Sequence, residues 1–155
     1  GILLGYSYLG TDGEEVPMIP LENESGKVIA YYQNGQLSRE MDYQNGYLVG
    51  PYKTYFLNGN LYREHFNLND DYHGVEKIYF ESGKIKEENS YSYGDLHGES
   101  KKYYENGQVK EIANYLNDEK TGENTFFDSE GTLLRMDTYF NGLRIKSISY
   151  ASSSK

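Results

Sequence analysis

The chain is 155 residues long and acidic, with 24 Asp and Glu against 15 Lys and Arg and a formal net charge of -9. It contains no Cys and no Trp, which excludes disulfides, thiolate nucleophiles and cysteine-based zinc sites. The negative charge repels phosphate, so nucleic acid is not an expected partner and attachment to anionic membrane is disfavoured; no stretch approaches the ~20 apolar residues of a membrane-crossing helix.

Eighteen Tyr, six Phe and seventeen Gly, with a mean hydropathy of -0.81, describe a turn-rich chain with few aliphatic side chains for a thick core. Tyrosine has to supply much of the buried surface, because its ring is apolar while its hydroxyl can stay wet.

Residues 1–28 read as an N-terminal capping segment, in which Ser25-Gly26-Lys27-Val28 forms a turn entering a strand. The first residue is Gly rather than Met, compatible with an expression scar or a removed signal peptide. A removed signal peptide implies a secreted or cell-envelope location; otherwise the cytoplasm is expected.

Residues 29–146 form five repeats of 24 residues. Gly35, Gly59, Gly83, Gly107 and Gly131 make one ladder at that step, and Gly50, Gly74, Gly98 and Gly122 make a second; both are read as structural turn glycines. Aromatic pairs precede the first ladder at Tyr31-Tyr32, Tyr55-Phe56, Tyr79-Phe80, Tyr103-Tyr104 and Phe126-Phe127, and an apolar residue follows it at Leu37, Leu61, Ile85, Val109 and Leu133. A fixed period of this length signals a repeat array rather than a globular domain.

Each repeat predicts strand, turn, strand, loop, since Asn-Gly between short aromatic and aliphatic runs is a strong hairpin signal. If the turn has two residues, Lys53 faces Glu64 and Lys77 faces Glu88; a three-residue turn with a bulge moves the register by one. The column Gly46, Asp70, Gly94, Asp118 and Gly142 uses only turn-compatible residues and marks a second bend.

Two irregularities stand out. The column Tyr43, Asn67, Tyr91, Tyr115 and Tyr139 loses its ring once, and Phe66 beside Asn67 is expected to compensate. In the last repeat the aromatic pair moves one place earlier, predicting a turn one residue longer at Asp128 to Gly131. After residue 146 come a strand end and a small polar tail, Ala-Ser-Ser-Ser-Lys, expected to be loose.

The unit of aromatic pair, Asn-Gly, apolar residue, then Tyr43-Gln44-Asn45-Gly46 with Gly50 four residues on, resembles the MORN repeat, and more specifically its bacterial variant class. The resemblance spans residues 29 to 146. It implies an all-β protein whose hairpins build one extended, twisted, single-layer antiparallel sheet of about 10–12 strands. It also implies a scaffold for protein or membrane association, with some bacterial arrays labelled antitoxin-like.

Candidate chemistry dissolves into the repeat. Asp71-x-His73-Gly74 and Asp95-x-His97-Gly98 resemble halves of a metal site, but equivalent residues of successive hairpins lie roughly 9 to 10 Å apart, too far for one ion. Glu40, Glu64 and Glu88 form a column suited to cross-strand pairing, and the lysines at 77, 84, 86, 101, 102 and 110 share their strands with acids. No nucleophile, base and orienter set or phosphate loop is found, so no catalytic residue, cofactor or metal is assigned.

Adjacent strand residues point to opposite faces, so each aromatic pair puts one ring on each side of the sheet. The row Tyr31, Tyr55, Tyr79 and Tyr103, facing outward together if the Asn-Gly turns have two residues, is the expected binding surface for a protein partner, a second copy of the chain among the candidates. An antitoxin-like role against a basic toxin, binding of host or envelope components, and membrane-surface association are the alternatives.

Overall fold

The computed structural model describes residues 4–150, so the Ala-Ser-Ser-Ser-Lys tail lies outside the described residues. Two short strands, β1 (Gly5–Tyr6) and β2 (Ile19–Pro20), pair with each other near the start. Eleven more form one sheet: β3 (Gly26–Tyr31), β4 (Leu37–Gln44), β5 (Tyr47–Tyr55), β6 (Leu61–Leu68), β7 (Asp71–Tyr79), β8 (Ile85–Ser92), β9 (Asp95–Tyr103), β10 (Val109–Leu116), β11 (Glu119–Phe127), β12 (Leu133–Phe140) and β13 (Leu143–Ser149). Each pairs antiparallel with its sequence neighbours, so the protein is an all-β extended sheet of tandem hairpins.

The Asn-Gly turns take the three-residue form. The Tyr32 N–H donates to the Gln36 carbonyl at 2.8 Å and the Gly35 N–H to the Tyr32 carbonyl at 2.9 Å, with Gly35 at φ +82°. This loop alone shifts the register by one, so Tyr31 faces Leu37; a bulge then restores it, and Ala30 faces Arg39. The two irregularities cancel in each hairpin. That is why Lys53 faces Glu64 and Lys77 faces Glu88, as a two-residue turn would also have placed them.

The fifth turn is no longer than the others. The Asp128 N–H bonds to Thr132 and Gly131 N–H to Asp128, as Tyr104 does with Gln108 and Gly107 with Tyr104. Phe127 therefore occupies the Tyr103 position, and Asp128 replaces the second aromatic. Its carboxylate accepts the Glu130 and Thr132 N–H groups, both at 2.9 Å, and stabilises the turn by its own hydrogen bonds.

The second bends are two-residue turns with both residues at positive φ, as at Asn45 (51°) and Gly46 (80°). They join successive repeats: Asp70 N–H donates to the Leu48 carbonyl at 2.9 Å, and the Leu48 N–H returns to Asp70 Oδ1 at 2.7 Å. Gly50, Gly74, Gly98 and Gly122 stand elsewhere than expected. They lie inside β5, β7, β9 and β11 with φ of +71°, +79°, +106° and +63°, close to the register breaks between hairpins. A left-handed residue within a strand bends it, and glycine takes that conformation without a Cβ penalty.

The burial is one-sided. Following the register from strand to strand, Val28 faces Met41, Tyr52 faces His65, Glu76 faces Asn89, Asn89 faces Ser100 and Asn124 faces Asp137, and this row marks the inner face. It begins apolar and ends polar: Val28 is 5% exposed, while Asn124 and Asp137 are wholly buried. Asn67 is also buried on this face, whereas Phe66 points out on the other and is half-exposed. Phe66 therefore does not replace the missing ring; His65 does, stacked between Tyr52 (4.8 Å) and Tyr72 (3.9 Å).

Candidate functional site: the two faces of the sheet

The inner face is held by polar contacts. Arg63 pairs with Glu76 at 3.3 Å, and Asn89 donates to the other oxygen of Glu76 at 2.9 Å. At the far end Asp137 accepts the Ser147 hydroxyl at 2.6 Å and pairs with Arg135 (3.3 Å) and Arg144 (3.5 Å). Burial alone raises the Asp137 pKa, but Ser147, Arg135 and Arg144 together hold it below the ordinary value. Burial, aided by the Arg63 charge, lowers His65 to about 4, so it is neutral near pH 7.

The outer face carries a ladder of tyrosines on glutamates. Tyr55 donates to Glu40, Tyr79 to Glu64 and Tyr103 to Glu88, each at 2.6 Å and each to the residue 15 places earlier. Burial and then the glutamate bond raise the phenol pKa in all three, for Tyr103 to about 12. The geometry follows from the repeat: the Glu column lies one strand back from the Tyr column, on the same face. Lys27 and Lys77 complete the pattern by pairing with Glu40 (2.9 Å) and Glu88 (3.9 Å).

Three of the four sequence-singled tyrosines, Tyr55, Tyr79 and Tyr103, are thus half-buried and tethered. Tyr31 is 42% exposed and leans on Tyr8 of the N-terminal segment, with ring centroids 5.9 Å apart. The two histidines lie in strands, β7 and β9, and remain separate: His73 meets the Tyr93 ring edge-on at 5.4 Å, and His97 Nδ1 lies 3.3 Å from Asn117 Oδ1. Among the described residues, no group of three His, Asp or Glu is placed to hold a metal ion. Much of the lysine concentration is internally engaged: Lys101 pairs with Glu99 at 2.6 Å, Lys102 with Glu111 at 3.5 Å, and Lys84 donates to the Glu105 carbonyl at 2.9 Å.

Three apolar side chains stand out on the outer face between β6 and β9: Phe66 (47% exposed), which the sequence suggested only as a compensating ring, and Val75 (51%) and Tyr93 (70%), which it did not single out. The signal was present as departures from the repeat. The Phe66 column is otherwise Asp42, Ser90, Asn114 and Thr138, and the Tyr93 column is otherwise Asn45, Asn69, Asn117 and Asn141.

A single sheet of in-phase hairpins, buried on one face and carrying a tyrosine–glutamate ladder on the other, defines a tandem-hairpin repeat protein. The family model described as MORN repeat variant matches residues 24–45, 48–67, 72–93 and 96–117, more than half of the chain. The chain belongs to the MORN repeat variant family. Beyond the matched segments, β11 to β13 continue the same hairpin geometry. No curated protein matches the chain.

Proposed function

We propose that the protein is a non-catalytic scaffold whose outer sheet face binds another protein. The observation that carries it is the tether of Tyr55, Tyr79 and Tyr103 to glutamates at one common distance. Aromatic rings held in place before binding lose little entropy when a partner covers them, and tyrosine is favoured at protein interfaces for that reason. Family membership supports a scaffold in the same direction. The acidic surface favours a basic partner, which keeps an antitoxin-like inhibitor within the same class.

The test is site-specific photocrosslinking in cells of the source organism, with benzoylphenylalanine replacing Tyr79 on the outer face or Tyr91 on the inner face. Discrete protein adducts from position 79 and none from 91 are expected. Adducts from 91 alone, or none from either, overturn the proposal.

A further inference from the structure

Repeat proteins supply an internal reference: each column shows what the fold itself asks for, so a residue that departs from its column needs a separate reason. Three departures converge on one place. Phe66 stands where four repeats have polar residues and Tyr93 where four repeats have Asn, while Val75 follows Pro51 in its column and departs from Glu99 and Glu123 of the two following repeats. Phe66 faces His73 across β6 and β7, Val75 lies two residues beyond His73 on the same strand, and Tyr93 packs against His73.

Nothing in the fold calls for these side chains. Tyr93 has φ +50°, the same left-handed conformation as Asn45, Asn69, Asn117 and Asn141. Asparagine tolerates that backbone, whereas a Cβ-bearing aromatic residue is strained there. The strain gains little buried surface, since Tyr93 is 70% exposed. Apolar groups that cost stability and stay in water mark a surface meant to be covered.

The charges around the patch indicate what covers it. Residues 66–76 and 90–100 contain five acids and no Lys or Arg. Glu76 is spent on Arg63 and Asn89, and Asp70 on the Leu48 N–H. The remaining three, Asp71, Asp95 and Glu99, are exposed. Among the described residues Asp71 and Asp95 form no ion pair, and Glu99 pairs only with Lys101. Beside Val75 lies a shallow depression of about 150 Å³ lined by Glu88, Ser90, Glu99 and Lys101, room for one anchoring side chain. A second copy would bring the same net charge of -9 to this rim.

We infer that the outer face around Phe66, His73, Val75 and Tyr93 docks an extended, basic segment of a different protein through apolar anchors. This deepens the scaffold proposal above and rests on it. The anchors cover Phe66 and Tyr93, one enters the depression at Val75, and flanking Lys or Arg meet Asp71, Asp95 and Glu99.

The probe is a fluorescent twelve-residue peptide alternating Lys with Leu and Phe, titrated by anisotropy at about 150 mM salt. One control peptide has Ser for every Leu and Phe, and a second has Glu for every Lys. The protein variant Phe66→Asn, Val75→Glu, Tyr93→Asn restores residue types found in the same columns, and its melting temperature should equal or exceed that of the parent. Because Val75→Glu adds a negative charge, a weakened grip on the basic peptide cannot be electrostatic. The expected result is binding by the parent, about tenfold or more weakened in the variant and in both control peptides.

Absence of parent binding, equal binding by the Ser peptide, or variant binding within about twofold overturns the proposal. So does sedimentation showing that the parent dimerises through the patch while the variant stays monomeric, since that assigns the patch to a second copy. Photocrosslinks from position 79 without any from 66, 75 or 93 leave the scaffold proposal standing and remove the patch alone.

Discussion

The Tyr79 hydroxyl donates to Glu64 Oε1 at 2.6 Å between the adjacent strands β7 and β6, and the same bond recurs one repeat earlier at Tyr55–Glu40 and one later at Tyr103–Glu88. A carboxylate that accepts a phenolic proton at this distance is a charge-assisted bond, and three in register stiffen the outer face along the array. Replacing Tyr79 by Phe keeps the ring and removes the bond. Chemical denaturation should show a loss of about 1 kcal/mol with an unchanged m-value.

Burial of the three phenols, with the same bonds second, governs alkaline stability. Each of the three phenols has a folded-state pKa above the ordinary 10, for Tyr103 about 12. An acid whose pKa is raised on folding stabilises the fold fully below its unfolded value and loses that contribution as pH rises through the folded one. Stability should therefore fall from about pH 10 upward. Tyrosinate absorbance should show at least six phenols titrating late, Tyr43, Tyr72 and Tyr91 among them, and the Tyr55, Tyr79 and Tyr103 to Phe variant should lose three of these.

His65 sets an acid dependence of the same kind. Its pKa drops from 6.5 to about 4 on folding, because it lies buried between Tyr52 and Tyr72 with Arg63 nearby. The unfolded chain takes up the proton first, so stability is full above pH 6.5 and declines as pH falls toward 4. The decline is up to about 3 kcal/mol from this residue. Urea melts of His65→Phe between those two limits should show a flatter pH profile than the parent; an identical slope would place the titration elsewhere.

Asp137 acts further into the acid range. It is wholly buried on Ser147, Arg135 and Arg144, and its pKa is lowered from 3.8. Its contribution is present above that unfolded value and is lost as pH falls through the folded one. Asp137→Ala should cost about 2 to 3 kcal/mol near neutral pH, because it leaves two arginines and a hydroxyl without their acceptor. Much of the cost should disappear at the lowest pH at which the parent stays folded.

Gly83 separates backbone strain from crowding. It has φ +85° and open space where a Cβ would stand. Gly83→Val should cost about 1 to 2 kcal/mol from strain alone, and Gly83→Asn clearly less, since Asn tolerates the left-handed region. Equal losses for the two would show that the space matters more than φ.

The architecture was legible because it is written five times. In-phase Gly35 to Gly131, the aromatic pairs and the Gly and Asp column give the hairpins and their order. What escaped depends on geometry that a period cannot show. A three-residue turn and a bulge cancel, so either turn length predicts Lys53 opposite Glu64. Gly50 and its column have the composition of a turn, yet their left-handed backbone bends a strand. Asn67 and Phe66 are neighbours in sequence, and alternation sends them to opposite faces. The outer patch was recorded in the sequence as broken columns at Phe66, Val75 and Tyr93, but only the strand register brings the three together.

The most direct test of the central claim uses the partner recovered by photocrosslinking at position 79. Its affinity is measured by calorimetry for the parent and for Tyr79→Thr, Tyr103→Thr, with circular dichroism confirming that the sheet persists. Loss of the outer rings should weaken binding about a hundredfold or more. Unchanged affinity in a folded variant would contradict the assignment of the outer aromatic face as the binding surface.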